Sequence, residues 1–159
     1  MLTLRKYRES DGNTVLSWIK DENAFRMWCA DRFEKYPLSP LDFNEIYRSG
    51  QLKGFVAYDE DQMIGHLFMQ TLSEKTVKFG LIIVDAEKRG KGYGSKMLIA
   101  ALDYAKSSLS AKRVILSAFD TNPAAYSCYK RLGFNETGKV KEFLFFNETH
   151  RYFELEYEI

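Results

Sequence analysis

Several things are scarce in this chain, and each scarcity excludes a class of protein. Cysteine occurs twice, at Cys29 and Cys128. Two thiols without ligand spacing build neither a zinc site nor a disulfide framework, so both are expected as reduced thiols and no metal is expected. Proline occurs three times, and no Pro-, Gly- or Ser-rich stretch reads as a linker, repeat or low-complexity segment. Charge of one sign is missing too. The net charge of +1 gives no bulk attraction to nucleic acid or acidic lipid, so neither partner is expected. No apolar run approaches the roughly 18 residues of a membrane span, and the first residues lack the apolar core of a signal peptide. A soluble cytoplasmic protein is the expectation. Histidine is limited to His66 and His150, which leaves few side chains with a neutral-range pKa.

What is present points to one folded domain over residues 1–159. Hydrophobic residues make up 45% and aromatics 15%, enough for a full core at this length. The chain is organised around residues 80–98. An apolar run of strand length, Leu81-Ile82-Ile83-Val84, leads into a charged turn with Gly90, Gly92 and Gly94. Met97, Leu98, Ala101, Leu102 and Ala105 then recur at helical spacing. Strand, glycine-rich turn and helix start together form a phosphate cradle. Glycines leave backbone amides uncovered, and a helix N-terminus has unpaired donors and the positive end of the dipole. Arg89, Lys91 and Lys96 add formal positive charge.

Two familiar cradles do not fit. A Walker A loop ends in Gly-Lys-Ser/Thr, whereas the order here is Gly94-Ser95-Lys96. A dinucleotide fingerprint needs Gly or Ala at its sixth position, where Ser95 or Met97 stands. A second unit follows. Residues 112–119 read as a strand, Asn122-Pro123 as a helix start, residues 124–132 as the helix and Gly133 as its stop.

Arg89-x-x-Gly92-x-Gly94, followed by Asn122-x-x-Ala125-x-x-x-Tyr129-x-x-x-Gly133-Phe134, resembles motifs A and B of the GCN5-related N-acetyltransferases, the GNAT superfamily. The likeness is carried by residues 76–134. The opening Leu4-Arg5-x-Tyr7 and the aromatic, charged residues 21–36 look closer to the ribosomal-protein and polyamine-type branch. The resemblance implies a mixed α/β (α+β) fold: a mostly antiparallel twisted sheet of about seven strands with flanking helices. It implies an acetyl-CoA-dependent N-acetyltransferase in which a primary amine attacks the thioester directly in a ternary complex. The acceptor stays open between a protein N-terminus and a small amine such as a polyamine, amino acid or aminoglycoside. A homodimer is one assembly to expect. Carried over residue by residue, the backbone of Ile82, Ile83 and Val84 would bind the pantetheine arm. Arg89, Gly90, Lys91, Gly92, Tyr93, Gly94 and Ser95 would hold the pyrophosphate. Asn122 would contact the arm, and Tyr129 would protonate the leaving thiolate. A phenol suits that role because it stays protonated at neutral pH. The plainer alternative for Tyr129, two helical turns past Asn122, is a core aromatic.

The general base has no such anchor. Where related enzymes carry a glutamate five residues before the motif B asparagine, this chain has Ser117. At the other family position stand Lys78 and Phe79. His66, Glu22, Asp31, Glu34 or a water relay remain, and His150 reads as solvated in a polar turn over residues 147–150. Two other functions compete: a non-catalytic acyl-CoA sensor of the same fold, and a nucleotide-phosphate enzyme reusing the turn. Elsewhere the expected strands span residues 2–8, 54–58, 63–70 with a bulge or a close backbone approach at Gly65, 76–84, 143–146 and the final alternating run. Ser10-Asp11-Gly12 is read as a helix cap, and a short helix is expected around Leu41, Phe43 and Ile46. The glutamates of the last strand fall on its polar face and need no catalytic role.

Overall fold

The chain forms seven strands: β1 (Leu2–Lys6), β2 (Leu52–Asp59), β3 (Gln62–Thr71), β4 (Thr76–Val84), β5 (Arg113–Phe119), β6 (Asn135–Phe145) and β7 (Glu148–Glu158). The computed structural model describes all 159 residues. The strands form one sheet in the order β1-β2-β3-β4-β5-β7-β6. Every neighbouring pair is antiparallel except β4 and β5. A parallel pair needs a crossover, and the helix α4 (Tyr93–Leu109) supplies it. The other helices are α1 (Gly12–Ser17), α2 (Glu22–Cys29), α3 (Pro40–Glu45) and α5 (Pro123–Leu132).

Because strand side chains alternate between faces, the sheet buries two separate cores. Met97, Leu98 and Ala101 of α4 and Tyr129 of α5 pack with Phe55, Leu67, Val77 and Phe79 on one face. Val15, Phe25 and Phe43, from α1 to α3, pack with Val56, Phe68, Leu81 and Ile83 on the other. In β4, Val77 and Phe79 enter the first core but Leu81 and Ile83 the second, and strict alternation would keep all four on one face. Phe68 of β3 pairs with Gly80 and His66 with Ile83, so Leu67 alone faces Leu81 and Ile82. Leu81 takes a φ of 47°, in the left-handed region that branched residues seldom visit. This is a β-bulge: one extra residue switches the faces beyond it. Pairing of β4 with β5 also stops early. It covers only Thr76, Val77 and Lys78 opposite Arg113, Val114 and Ile115. Past Lys78 the two central strands diverge, and the sheet is open in its middle.

Several expectations change. The opening strand ends at Lys6. Asp11 makes no side-chain cap on α1; its carboxylate accepts from the Arg8 amide at 2.7 Å and pairs with Arg5 at 3.3 Å. Pro40 begins α3, with the Ser39 hydroxyl accepting from the Asp42 amide. The bulge in β3 falls at Ile64, while Gly65 itself marks the close approach: an added Cβ would lie 2.6 Å from Met97 Sδ. The last hairpin turn is only Phe146-Asn147, at φ 56° and 63°, the primed geometry that suits the strand twist. Thr149 and His150 therefore belong to β7. His150 is buried between Phe119 and Phe145 rather than solvated. Strand β6 starts at Asn135. It is an edge strand, mostly exposed, so its first half carries polar residues and no alternating signal.

Candidate active site

The divergence of β4 and β5 opens a cavity of about 410 Å³. Gly80, Leu81 and Ile82 line one side, and Ser117, Ala118 and Phe119 the other. Asn122 and Tyr129 also line it, as do Trp28 of α2, Arg32 just after it, and Lys141 and Tyr152 of the β6–β7 hairpin. The ladder bonds that β4 and β5 would share are missing here, so an extended ligand can take their place along the open edges.

Asn122 caps α5, its Oδ1 accepting from the Ala125 amide at 3.3 Å. That bond uses the oxygen and leaves the amide nitrogen as a donor. One and a half to two turns on, Tyr129 reaches the cavity and is itself buried. Burial penalises the phenolate and raises the Tyr129 pKa well above its ordinary value; Tyr152 and Cys128 nearby push the same way. The group keeps its proton across the neutral range. Tyr152, across the cavity, is also raised, chiefly by burial.

The glycine turn stands at the start of α4, beside the end of β4. A Cβ on Gly94 would lie 3.9 Å from Val84 Cγ2. Gly90 and Gly92 both sit at φ 80°, a conformation open to glycine and strained for other residues. Gly92 is the N-cap of α4 and offers no side-chain acceptor, so the first-turn amides have no capping partner. Uncapped amides at the positive end of a 17-residue helix, with Lys91 and Lys96 exposed around them, fit a pyrophosphate. Arg89 folds back, its Nε donating to the Val84 carbonyl at 3.3 Å.

His66 is fully buried on the α1–α3 face of the sheet. Its Nδ1 lies 3.0 Å from the Leu81 carbonyl and its Nε2 2.8 Å from the Tyr47 hydroxyl. A carbonyl can only accept, so Nδ1 carries the proton and Nε2 accepts from the tyrosine. Burial pushes the His66 pKa down to about 4. The imidazole is thus a neutral strut under the β4 bulge.

The acetyltransferase (GNAT) family profile matches residues 15–134. The chain belongs to the GNAT acetyltransferase family. Spermidine N(1)-acetyltransferase of Vibrio cholerae is 26% identical over 149 residues, covering 92% of this chain and 86% of the relative. Spermine/spermidine N(1)-acetyltransferase of Bacillus subtilis is 31% identical over 101 residues, 60% of each chain. Among solved structures, a spermidine N-acetyltransferase from Vibrio cholerae in complex with CoA and spermine superposes with a TM-score of 0.84. The identity there is 25%, over 99% of this chain and 95% of the other. Membership fixes the activity class of this GNAT protein: acetyl transfer from acetyl-CoA to an amine nitrogen.

Within this GNAT fold, Ile82, Asn122 and Tyr129 line one cavity. Ile83 and Val84 continue the same strand beyond the lining, and Arg89, Gly90, Lys91, Gly92, Tyr93, Gly94 and Ser95 form the separate turn at the head of α4. Of the candidate bases, only Asp31 lines the cavity; His66, Glu22 and Glu34 do not. Arg32, Lys141 and Tyr152 were not legible as site residues. They come from three distant segments, and only the Tyr152 side of β7 carried a periodic signal.

Proposed function

We propose that this chain acetylates the primary amine of a small molecule, by direct attack within a ternary complex. Acetyl-CoA supplies an activated thioester carbonyl. The open edge of β4 at residues 82–84 holds the pantetheine arm in the manner of an added strand. The uncapped amides of Gly92, Tyr93, Gly94 and Ser95, with Lys91, hold the pyrophosphate. Asn122 donates to the arm. Tyr129 donates its proton to the departing sulfur, which its raised pKa permits at neutral pH. The amine loses its proton to water or to a cavity group, since no histidine faces it. A small acceptor is favoured over a protein N-terminus by the polyamine enzymes among its relatives, one of them matching 92% of this chain.

The single observation that supports this reading is the split sheet, with uncapped helix amides beyond one end of the gap and a protonated phenol inside it. Thermal shift and thiol release test it together. Acetyl-CoA should raise the melting temperature where ATP and NAD do not, and CoA thiol should appear only when an amine is added. Stabilisation by ATP alone would overturn the reading. Binding of acetyl-CoA without turnover on a broad amine panel would make the chain a sensor.

A further inference from the structure

We propose that the acceptor of this chain is an amine that also bears an anionic group, bound by Arg32, Lys78 and Lys141. The inference rests on the acetyltransferase reading and assigns its acceptor class. The three cations come from three segments: the residues after α2, the first part of β4, and β6. All three line the cavity, with Asp31 as the sole carboxylate beside them, a formal excess of two positive charges. None of the three has a carboxylate within ion-pair distance. Two other partly buried cations of this fold are paired: Arg5 with Asp11 at 3.3 Å and Arg113 with Glu156 at 2.6 Å. Lys78 is only partly exposed; its burial first, and then the charges of Arg32 and Lys141, lower its pKa. Glu154, the acid that acts on Lys78 in the opposite sense, is already engaged. It accepts from the Thr137 hydroxyl at 3.0 Å and lies 4.0 Å from Arg113.

The hydrogen-bonding inventory points the same way. Arg32, Lys78 and Lys141 offer the cavity only donors. Ammonium groups bring only donors as well, so a polyamine can neither accept from the three cations nor neutralise them, whereas a carboxylate or phosphate can do both. The cations also help the chemistry. Like charge beside the attacking nitrogen disfavours its ammonium form and raises its neutral fraction. That matters in a site with no carboxylate at Ser117. The volume suits a small molecule rather than a folded chain.

Matched pairs of amines test the proposal: β-alanine against its amide, phosphoethanolamine against ethanolamine, with spermidine as the polycation. The anionic member of at least one pair should show a kcat/KM about ten-fold or more above its neutral partner and above spermidine. The preferred pair distinguishes carboxylate from phosphate. In Lys78→Gln and Lys141→Gln, KM for that amine should rise about ten-fold while the calorimetric Kd for CoA stays unchanged, which also reports folding. Preference for spermidine, or for the neutral members, overturns the proposal and leaves the acetyltransferase reading standing. A rise in the CoA Kd instead of the amine KM overturns it as well, by assigning the cations to the cosubstrate. No turnover of any amine, with acetyl-CoA still bound, overturns both.

Discussion

His66 and Tyr129 are both buried, and burial moves their pKa values in opposite directions because it favours the neutral form of each. For Tyr129 the neutral form is the proton donor. Tyr129→Phe keeps the ring and removes the hydroxyl, so the single-turnover rate should fall roughly ten- to a thousand-fold, with KM for acetyl-CoA little changed. An unaltered rate would make it a packing residue. For His66 the neutral form is the strut. Its pKa is 6.5 when unfolded and about 4 when folded, so between those values the unfolded chain binds more protons. Its contribution is therefore complete above pH 6.5 and is lost as the pH falls toward 4, at roughly 1.4 kcal/mol per unit. Urea midpoints at pH 7 and 5 should converge in His66→Gln relative to the parent. The rise of kcat/KM with pH should be shared by both proteins. An inflection between pH 6 and 7 that disappears in the variant would make His66 the base after all.

Among the elements, the glycine turn and α4 were the most legible, since helix start, strand end and conformational freedom are all local. Gly92 has φ 80° and nothing within 4 Å of an added Cβ. Gly92→Asp should cost the fold about 1–2 kcal/mol in backbone strain and place a carboxylate against the pyrophosphate site. Calorimetry should show a folded protein without measurable CoA affinity; wild-type affinity would remove the turn from the site. Helix α5 was equally legible, from Asn122 at its cap to Gly133 at its stop. Strand β6 was not. Its outer edge faces water, so burial imposes no alternation on it, and the turn beyond it is Phe-Asn rather than the usual Asn-Gly. The segment from Asp21 to Tyr36 was opaque for a different reason. Phe25, Trp28 and Phe33 pack into an aromatic cluster with Phe43 of α3, a set of contacts with no sequence period.

At the scale of the whole molecule, the two cores meet at a sheet that is unpaired in its middle. A ligand lying there would join its halves. Acetyl-CoA at a hundred times its Kd should add about 2.7 kcal/mol to stability. Hydrogen exchange should slow most at residues 79–84 and 116–119, the diverging edges. Protection concentrated instead on β1 and β2 would put the ligand elsewhere. The sequence alone determined the order of the chemistry: a strand, a glycine turn, a helix, a capped second helix with Tyr129 along it. Each of these follows from steric and hydrogen-bonding rules acting over a few residues. Tertiary structure alone decided which face Leu81 and Ile83 enter, because the bulge exists only through the register of β4 against β3. It decided that His66 braces that bulge and that His150 is buried. It also brought Arg32, Lys78 and Lys141 to one cavity. Those outcomes depend on contacts between residues far apart in the chain, and no local pattern encodes them.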